Sequence, residues 1–374
     1  MTTCRRPRRG RRPKILPSEI PPHDFTSRLH MIRIGVIGLG HWGPNLMRCF
    51  SALPDCRVTA VCDRNCDQLL RIRERYPQVQ TAEGLDDLLD RDLVDAVVIA
   101  TPTATHFELA RKALEHDLHV FVEKPLATTS AECVALVDLA AQRNRLLFVG
   151  HVFLHSAPVA KLRQLITSGE LGKLTYISSR RLNLGPVRRD VNALYDLAPH
   201  DISMILHLFG SQPESVSCQG LSRLHPGIED VCNLTMLFGD NRMAMVHVSW
   251  LDPRKERVLT VVGDRKMVVY DDLEQEKLKV YDKGVDAPRP VDDFGEFQYS
   301  YRYGDSYCPW IEEHEPLKTE CAEFIRCIQE GDVPLTDGVN GFHVTRVLEA
   351  AQQSLMRGGV PIRLVEQRYE SAPK

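Results

Sequence analysis

Strand and helix signals alternate repeatedly between residues 31 and 150, and this alternation limits the possible fold more than any other feature. Short apolar runs at 32–37, 57–62, 96–100, 119–122 and 146–150 have the length and composition of buried strands. Amphipathic stretches near 44–53, 66–76, 85–89, 105–116 and 130–144 separate them. The last opens with Thr129 and, three residues on, Glu132, which is a capping-box pattern. Strands that alternate with helices in this way predict a parallel, doubly wound sheet of the Rossmann type.

Gly38-Leu39-Gly40-His41-Trp42-Gly43 lies where the first strand gives way to the first helix. The first glycine permits a tight turn, the second lets a pyrophosphate approach the backbone, and the third lets helix pack on strand. The helix N-terminus adds free amides and a positive dipole end. Asp63 stands at the end of the next strand, 20 residues beyond Gly43, where an acid accepts bonds from adenosine ribose hydroxyls. Its charge favours NAD over a 2′-phosphorylated cofactor, whereas the adjacent Arg64 could pair with that phosphate. Thr101-Pro102 ends the 96–100 strand and faces the same carboxyl-end crevice.

Beyond residue 150 the pattern changes. A helix near 159–168 is followed by strands joined through tight turns. Segments 234–238 and 242–250 flank Gly239-Asp240-Asn241, and 257–262 and 266–270 flank Gly263-Asp264-Arg265. These predict antiparallel hairpins in an α+β domain with a large, mainly antiparallel open sheet. Such a sheet has a second face to cover, by helices or by another subunit. Segment 282–309 has weak periodicity and reads as a long loop with aromatic anchors. Two helical stripes close the chain. Leu317, Cys321, Phe324, Ile325 and Ile328 stop at Gly331; Val344, Val347, Leu348 and Ala351 form the other. Both are expected to pack back on the first domain. The expected division is a basic tail at 1–30, a dinucleotide domain at 31–150 and a substrate and oligomerisation domain at 151–335. A helix and strand returning to the body at 336–364 and a tail at 365–374 complete it.

A chain of 374 residues is too long for one ordinary core. The formal charge of -3 supplies no field for nucleic acid, so no such partner is expected. Residues 1–30 hold eight Lys/Arg and two acids, which makes them +6 and leaves -9 for the remainder. This Arg- and Pro-rich segment lacks apolar periodicity and is expected to be a disordered leader, with Met31 a candidate start. It has no apolar stretch of signal-peptide length, and no segment reaches membrane-span length. Eleven cysteines, scattered and odd in number, argue for a reducing cytoplasm over a disulfide framework. Cys49, Cys56, Cys62 and Cys66 lack paired metal-ligand spacing, so no metal is expected.

Two further motifs carry chemistry. Glu123-Lys124-Pro125 ends the 119–122 strand and points a lysine from the cofactor crevice toward a substrate. Asp196-Leu197-Ala198-Pro199-His200-Asp201 precedes an apolar helical stretch through Phe209, and Pro199 suits a first helical turn. Asp196 and His200 are then expected near a helix N-terminus, where the dipole keeps imidazole neutral. A neutral His200 can take a hydroxyl proton as hydride leaves for nicotinamide. Lys124 can donate to the same oxygen. Asp196 is expected either to orient His200 or to cap the helix.

From about Met31 to Leu364 the chain resembles the Gfo/Idh/MocA family of NAD(P)-dependent oxidoreductases. The resemblance rests on Gly38 to Gly43, Asp63, Thr101-Pro102, Glu123-Lys124-Pro125, Asp196 with His200, and Pro334-Leu335-Thr336-Asp337-Gly338. It implies a cis Lys124–Pro125 bond, Lys124 and His200 as the catalytic pair with Asp196 as a third member, and sheet-mediated dimers or tetramers. Within the family, 181–190, Ala198-Pro199-His200-Asp201, and Trp250-Leu251-Asp252-Pro253 with Lys255 and Arg257 look like UDP-sugar 3-dehydrogenases. That narrower resemblance implies NAD-dependent oxidation of UDP-N-acetylglucosamine at C3, in step with a pyridoxal-phosphate aminotransferase of lipid A synthesis. UDP-N-acetylglucosaminuronate is the alternative substrate, and a non-catalytic dinucleotide-sensing regulator the alternative class. The expected cofactor contacts are Gly38, Gly40, His41, Trp42, Gly43, Asp63, Arg64, Thr101, Pro102, His106, Glu123 and Lys124. The expected substrate contacts are Arg181, Asn183, Arg188, Tyr195 and His200. Arginine suits the diphosphate of such a sugar, and Arg181, Arg188 and Arg189 lie just before the catalytic helix.

Overall fold

The computed structural model describes residues 31–89, 93–286 and 299–364; the two expected tails lie outside the described residues. Its first half runs β1 (Ile32–Ile37), α1 (Gly43–Ser51), β2 (Cys56–Cys62), α2 (Cys66–Arg75), β3 (Gln80–Ala82), α3 (Leu85–Leu88), β4 (Ala96–Ile99), α4 (His106–Glu115), β5 (His119–Glu123), α5 (Ser130–Arg143) and β6 (Leu147–Gly150). The six strands form one parallel sheet in the order β3-β2-β1-β4-β5-β6. Every residue of β4 and β6 is buried, as the unbroken apolar runs require of strands covered on both faces. The capping box of α5 forms, with Thr129 and Glu132 each accepting from the other's backbone N–H.

The second half runs α6 (Ala157–Thr167), β7 (Leu174–Leu184), α7 (Ala193–Phe209), β8 (Ser215–Leu221), β9 (Val231–Phe238), β10 (Arg242–Ser249), β11 (Leu251–Gly263), β12 (Met267–Asp271), β13 (Leu278–Asp286), β14 (Ser300–Tyr307), α8 (Pro316–Glu330), α9 (Gly338–Met356) and β15 (Ile362–Arg363). Nine strands form a second sheet in the order β14-β13-β12-β11-β7-β10-β9-β8-β15. Both predicted hairpins form, and only β7 and β10 pair in parallel. The loop expected at 282–309 is corrected in part: β13 and β14 pair antiparallel there, while 287–298 lies outside the described residues. Charged and aromatic residues on an edge ribbon hide the period-two signal, because the side chains of β14 are almost all exposed.

One face of the large sheet packs on α7 and α9, with Trp250, Met236, Val246 and Ile205 in the shared core. The closing helices divide their roles. On α8, Leu317, Cys321, Phe324 and Ile325 join the core of the first sheet. There Phe324 meets Phe50, Phe121 and Phe148 edge-on, with ring centroids 5.6–6.1 Å apart. Along α9, Phe342 enters the first domain while Val344, Val347 and Leu348 enter the second. The expectation that both helices pack back on the first domain describes α8, whereas α9 packs on both domains.

Candidate active site

The glycine turn after β1 has the geometry a dinucleotide needs. Gly38 has φ +90, and a Cβ there would lie 2.8 Å from the Ala100 carbonyl oxygen. A Cβ on Gly43 would fall 1.9 Å from the Gly38 carbonyl oxygen, so this glycine sets the close approach of α1 to the turn. Nothing lies within 4 Å of the position a Cβ would take on Gly40, leaving its backbone open to a ligand. Asp63 closes the turn from the end of β2. Its Oδ2 accepts from Leu39 N at 2.5 Å and its Oδ1 from Asn65 N at 2.7 Å. A cleft of about 490 Å³ runs past Gly38, Gly40, Asp63, Arg64, Thr101 and Pro102. These residues fit an adenosine diphosphate moiety with its ribose at Asp63. Trp42 stands half-exposed beside His41, their rings edge-to-face at 5.3 Å.

Two expected cofactor contacts are placed elsewhere. His106 is 1% exposed and lies between two carbonyls, Nδ1 at 2.8 Å from Pro125 O and Nε2 at 2.8 Å from Thr101 O. Burial lowers its pKa, so the ring carries one N–H and donates to only one of these two carbonyls. Glu123 turns its carboxylate inward. It is 8% exposed, accepts from Lys124 N at 3.3 Å, and would crowd a Cβ on Gly150.

Lys124, whose bond to Pro125 is cis, sends Nζ to the Asp196 carbonyl on α7 at 2.9 Å. Burial lowers its pKa, with Asp196 and Glu123 acting in the opposite direction. His200 lies one turn further along the same helix. Its pKa is driven well below the usual imidazole range, first by burial and then chiefly by the charges of Lys124, Arg181 and Arg257. The neutral base form is therefore secured, but by a different cause than the one expected. The helix begins at Ala193 with Asn192 as its cap, Asn192 Oδ1 accepting from Tyr195 N at 3.1 Å. Pro199 is inside the helix, where it leaves the Tyr195 carbonyl without its helical donor. His200 is thus too far from the N-terminus for the dipole to dominate.

Asp196 neither caps α7 nor orients His200. Its Oδ1 lies 3.3 Å from Arg188 Nη1, and its Oδ2 accepts from Trp250 Nε1 at 3.1 Å. His200 Nδ1 is buried with no hydrogen-bond partner among the described residues, and the ring sits edge-on to Phe153 at 5.1 Å. Arg181 is also corrected as a phosphate contact. It is 5% exposed, clamps Asp201 with Nε to Oδ2 at 2.6 Å, and lies 4.6 Å from the Phe153 ring centroid. Asp201 accepts from Ser179 Oγ as well, at 2.6 Å. Arg188 keeps partial exposure while paired to Asp190 and Asp196. Asn183 folds its amide over Gly185. Tyr195, with Arg189, Asn192, Thr103 and Thr128, lines a hollow of about 420 Å³ beside the Pro102 turn. Sequence reasoning missed Trp250, Asp201 and His151 as parts of the site. Asp201 had a signal, because an acid beside the base on a buried helix needs a cation.

Fold and site together define an oxidoreductase with an NAD-binding Rossmann fold. Residues 32–151 match a family model described as "Oxidoreductase family, NAD-binding Rossmann fold", and residues 159–269 match the GFO/IDH/MocA C-terminal domain. The chain belongs to the Gfo/Idh/MocA oxidoreductase family. It is 26% identical to UDP-N-acetylglucosamine 3-dehydrogenase of Acidithiobacillus ferrooxidans over 87% of this chain and 96% of that one. Myo-inositol 2-dehydrogenase of Thermotoga maritima is 25% identical over 87% and 96%. The fold matches the WlbA dehydrogenase of Bordetella pertussis, solved with NADH and UDP-GlcNAcA, at TM-score 0.75 and 21% identity, covering 90% of this chain and 100% of that one. Among the described residues, no helix is long and apolar enough to cross a membrane.

Proposed function

We propose that the protein oxidises the C3 hydroxyl of UDP-N-acetylglucosamine to the 3-keto sugar, with NAD as oxidant. One juxtaposition carries the chemistry: Lys124 Nζ bonds the helix that bears a neutral His200, at the carboxyl edge of the NAD-binding sheet. NAD, when bound, supplies the hydride acceptor. His200 takes the hydroxyl proton, because burial and three neighbouring cations keep its ring in the base form. Lys124 donates to the same oxygen and offsets the negative charge that grows there. Asp196, held by Trp250 and Arg188, fixes the turn of α7 that receives Lys124.

The choice of sugar follows from the likeness, along nearly the whole of both chains, to UDP-N-acetylglucosamine 3-dehydrogenase. Arg188 and the exposed Arg189 are the cations of the 181–190 segment left for a diphosphate once Arg181 is committed to Asp201. The product of such a reaction is a ketone that a pyridoxal-phosphate aminotransferase converts to an amine. A second copy of the chain covers the open face of the large sheet, where Met243, Met245, Val262, Met267 and Val269 are half-buried. The test is NADH formation from NAD with UDP-N-acetylglucosamine and with UDP-N-acetylglucosaminuronate, each coupled to an aminotransferase that removes the ketone. The reading expects the first sugar to be turned over faster. Silence with both, and with a wide UDP-sugar panel, defeats it.

A further inference from the structure

A histidine that takes a proton from a hydroxyl must hold one ring nitrogen on that oxygen, and a hydrogen bond to the other nitrogen commonly sets the ring. His200 has no such bond. Its Nδ1 is buried with no partner among the described residues, so the hydroxyl proton is taken at Nε2 and the neutral ring carries its own proton on Nδ1. Neither acid on the same stretch of α7 turns to it. Asp196 is bound to Arg188 and Trp250, and Asp201 to Arg181 and Ser179. What the structure sets against the imidazole is Phe153, on the short helical turn Val152–His155 that follows β6. The two ring centroids are 5.1 Å apart and the planes stand at 67°.

Phe153 is fixed in turn. The Arg181 guanidinium carbon lies 4.6 Å from its ring centroid, within cation–π range. Arg181 is 5% exposed on β7, the strand between β10 and β11. Asp201 holds it in place, accepting from Nε at 2.6 Å and from Nη2 at 3.3 Å. Ser179, two residues earlier on β7, donates from Oγ to Asp201 Oδ1 at 2.6 Å. Asp201 adjoins His200 in the chain, so the contacts close on themselves. They run from His200 to Phe153, to Arg181, to Asp201, and back to His200 through the backbone. A buried ion pair adds little net stability over apolar side chains of the same volume. Its use here is to fix a planar cation against an aromatic ring, which the point charge of a lysine would not do.

We propose that Phe153, Arg181 and Asp201 are positioning residues that hold the His200 imidazole at the angle its proton transfer needs. The inference rests on the oxidation proposed above, in which Nε2 of His200 gains an N–H as the sugar loses its O–H. The three residues act through His200 and not on the sugar. The same arrangement keeps a fixed positive charge near the base. The groups that act on His200 are Lys124 after β5, His151 after β6, Arg181 on β7 and Arg257 on β11. Burial lowers the imidazole first and the three cations add to it, while His151, itself lowered to about 3, stays neutral. Loss of the Arg181 charge removes one repulsion, and any charge left on Asp201 attracts a proton, so both effects raise the His200 pKa.

Kinetics and NMR test the assembly. Phe153→Leu keeps the ion pair and removes the ring against His200. It is expected to lower kcat about thirtyfold, while KM for UDP-N-acetylglucosamine and Kd for NAD stay within about threefold. A raised KM at unchanged kcat would make Phe153 a sugar contact and overturn the inference. Arg181→Lys keeps a cation for Asp201 but not the planar face, and is expected to lower kcat about tenfold. The double variant is expected to be little slower than Phe153→Leu, because both changes break one chain of contacts; losses that multiply overturn the inference. Arg181→Met is expected to move the acid limb of kcat/KM to higher pH, and an unmoved limb overturns the part given to its charge. Nitrogen NMR of the histidine rings in the NAD complex, without sugar, needs no turnover, and the His200 signal is identified by its loss in His200→Gln. At about pH 6, wild type is expected to show a neutral ring with its proton on Nδ1, and Phe153→Leu an average of the two tautomers. Identical His200 signals in wild type, Phe153→Leu and Arg181→Lys overturn the inference whether or not the sugar reading stands. Failure of wild type to oxidise any UDP-sugar defeats the functional reading instead, and the NMR arm still decides this one.

Discussion

At the residue scale, the site combines groups whose neighbours decide their chemistry. Motif and resemblance single out Lys124 and His200, and the structure brings Lys124 Nζ onto the helix that carries His200. Arg181 was misread, because sequence cannot distinguish a buried pair from a free cation. Its partner, Asp201, lies twenty positions away on another element, and the pair is nearly solvent-free. Asp196 was misread for a related reason: its bond to Trp250 crosses from α7 to the end of β10. Two outcomes are expected here. Lys124→Met lowers kcat about a thousandfold while NAD still binds within about threefold of wild type, measured by turnover and by fluorescence titration. Turnover near the wild-type rate would remove Lys124 from the chemistry. Asp63→Ala raises the Kd for NAD about thirtyfold, since a charged acceptor contributes about 2 kcal/mol, and narrows the preference over NADP. An unchanged ratio of the two affinities would take ribose recognition away from Asp63.

At the element scale, the parallel half of the chain could be read almost strand by strand, because burial on both faces leaves unbroken apolar runs. The α7 start was placed about six residues late. Pro199 resembles a first-turn proline, whereas the true cap is Asn192 and the proline lies inside the helix. The β13–β14 ribbon was missed because its side chains are mostly exposed or half-exposed. The α8 helix was legible as an apolar stripe, but its place was not. Phe324 sits fully buried among Phe50, Phe121 and Phe148, so α8 holds β5 and β6 behind Lys124. Phe324→Ala is expected to cost about 4 kcal/mol of stability in urea unfolding, from lost burial and the cavity left behind. A loss below about 1 kcal/mol would mean that α8 is not held by this cluster.

At the scale of the whole molecule, buried neutral histidines govern the response to acid. Burial lowers His119, His207 and His343 to about 4 and His151 to about 3, from an ordinary value of 6.5. A lowered folded pKa means that the unfolded chain binds more protons between these values. Stability is therefore complete above about pH 6.5 and is lost as pH falls through the folded values, by up to about 3 kcal/mol for each ring lowered to about 4 and about 5 kcal/mol for His151. Glu123, raised to about 7, has the opposite sign: its contribution is present below about pH 4.5 and fades as pH rises to about 7. The histidines outnumber it, so the melting temperature is expected to drop steeply between about pH 6 and about pH 4. A flat profile there would show that these rings are solvated. Transfer of hydride from C3 of the sugar to nicotinamide is the step that defines the proposed activity. It is tested most directly with UDP-N-acetylglucosamine carrying deuterium at C3, NAD and the coupling aminotransferase, with the nicotinamide product analysed by mass and NMR. The account predicts NADH with one deuterium at C4 of the ring. Unlabelled NADH, or none at all, would contradict it.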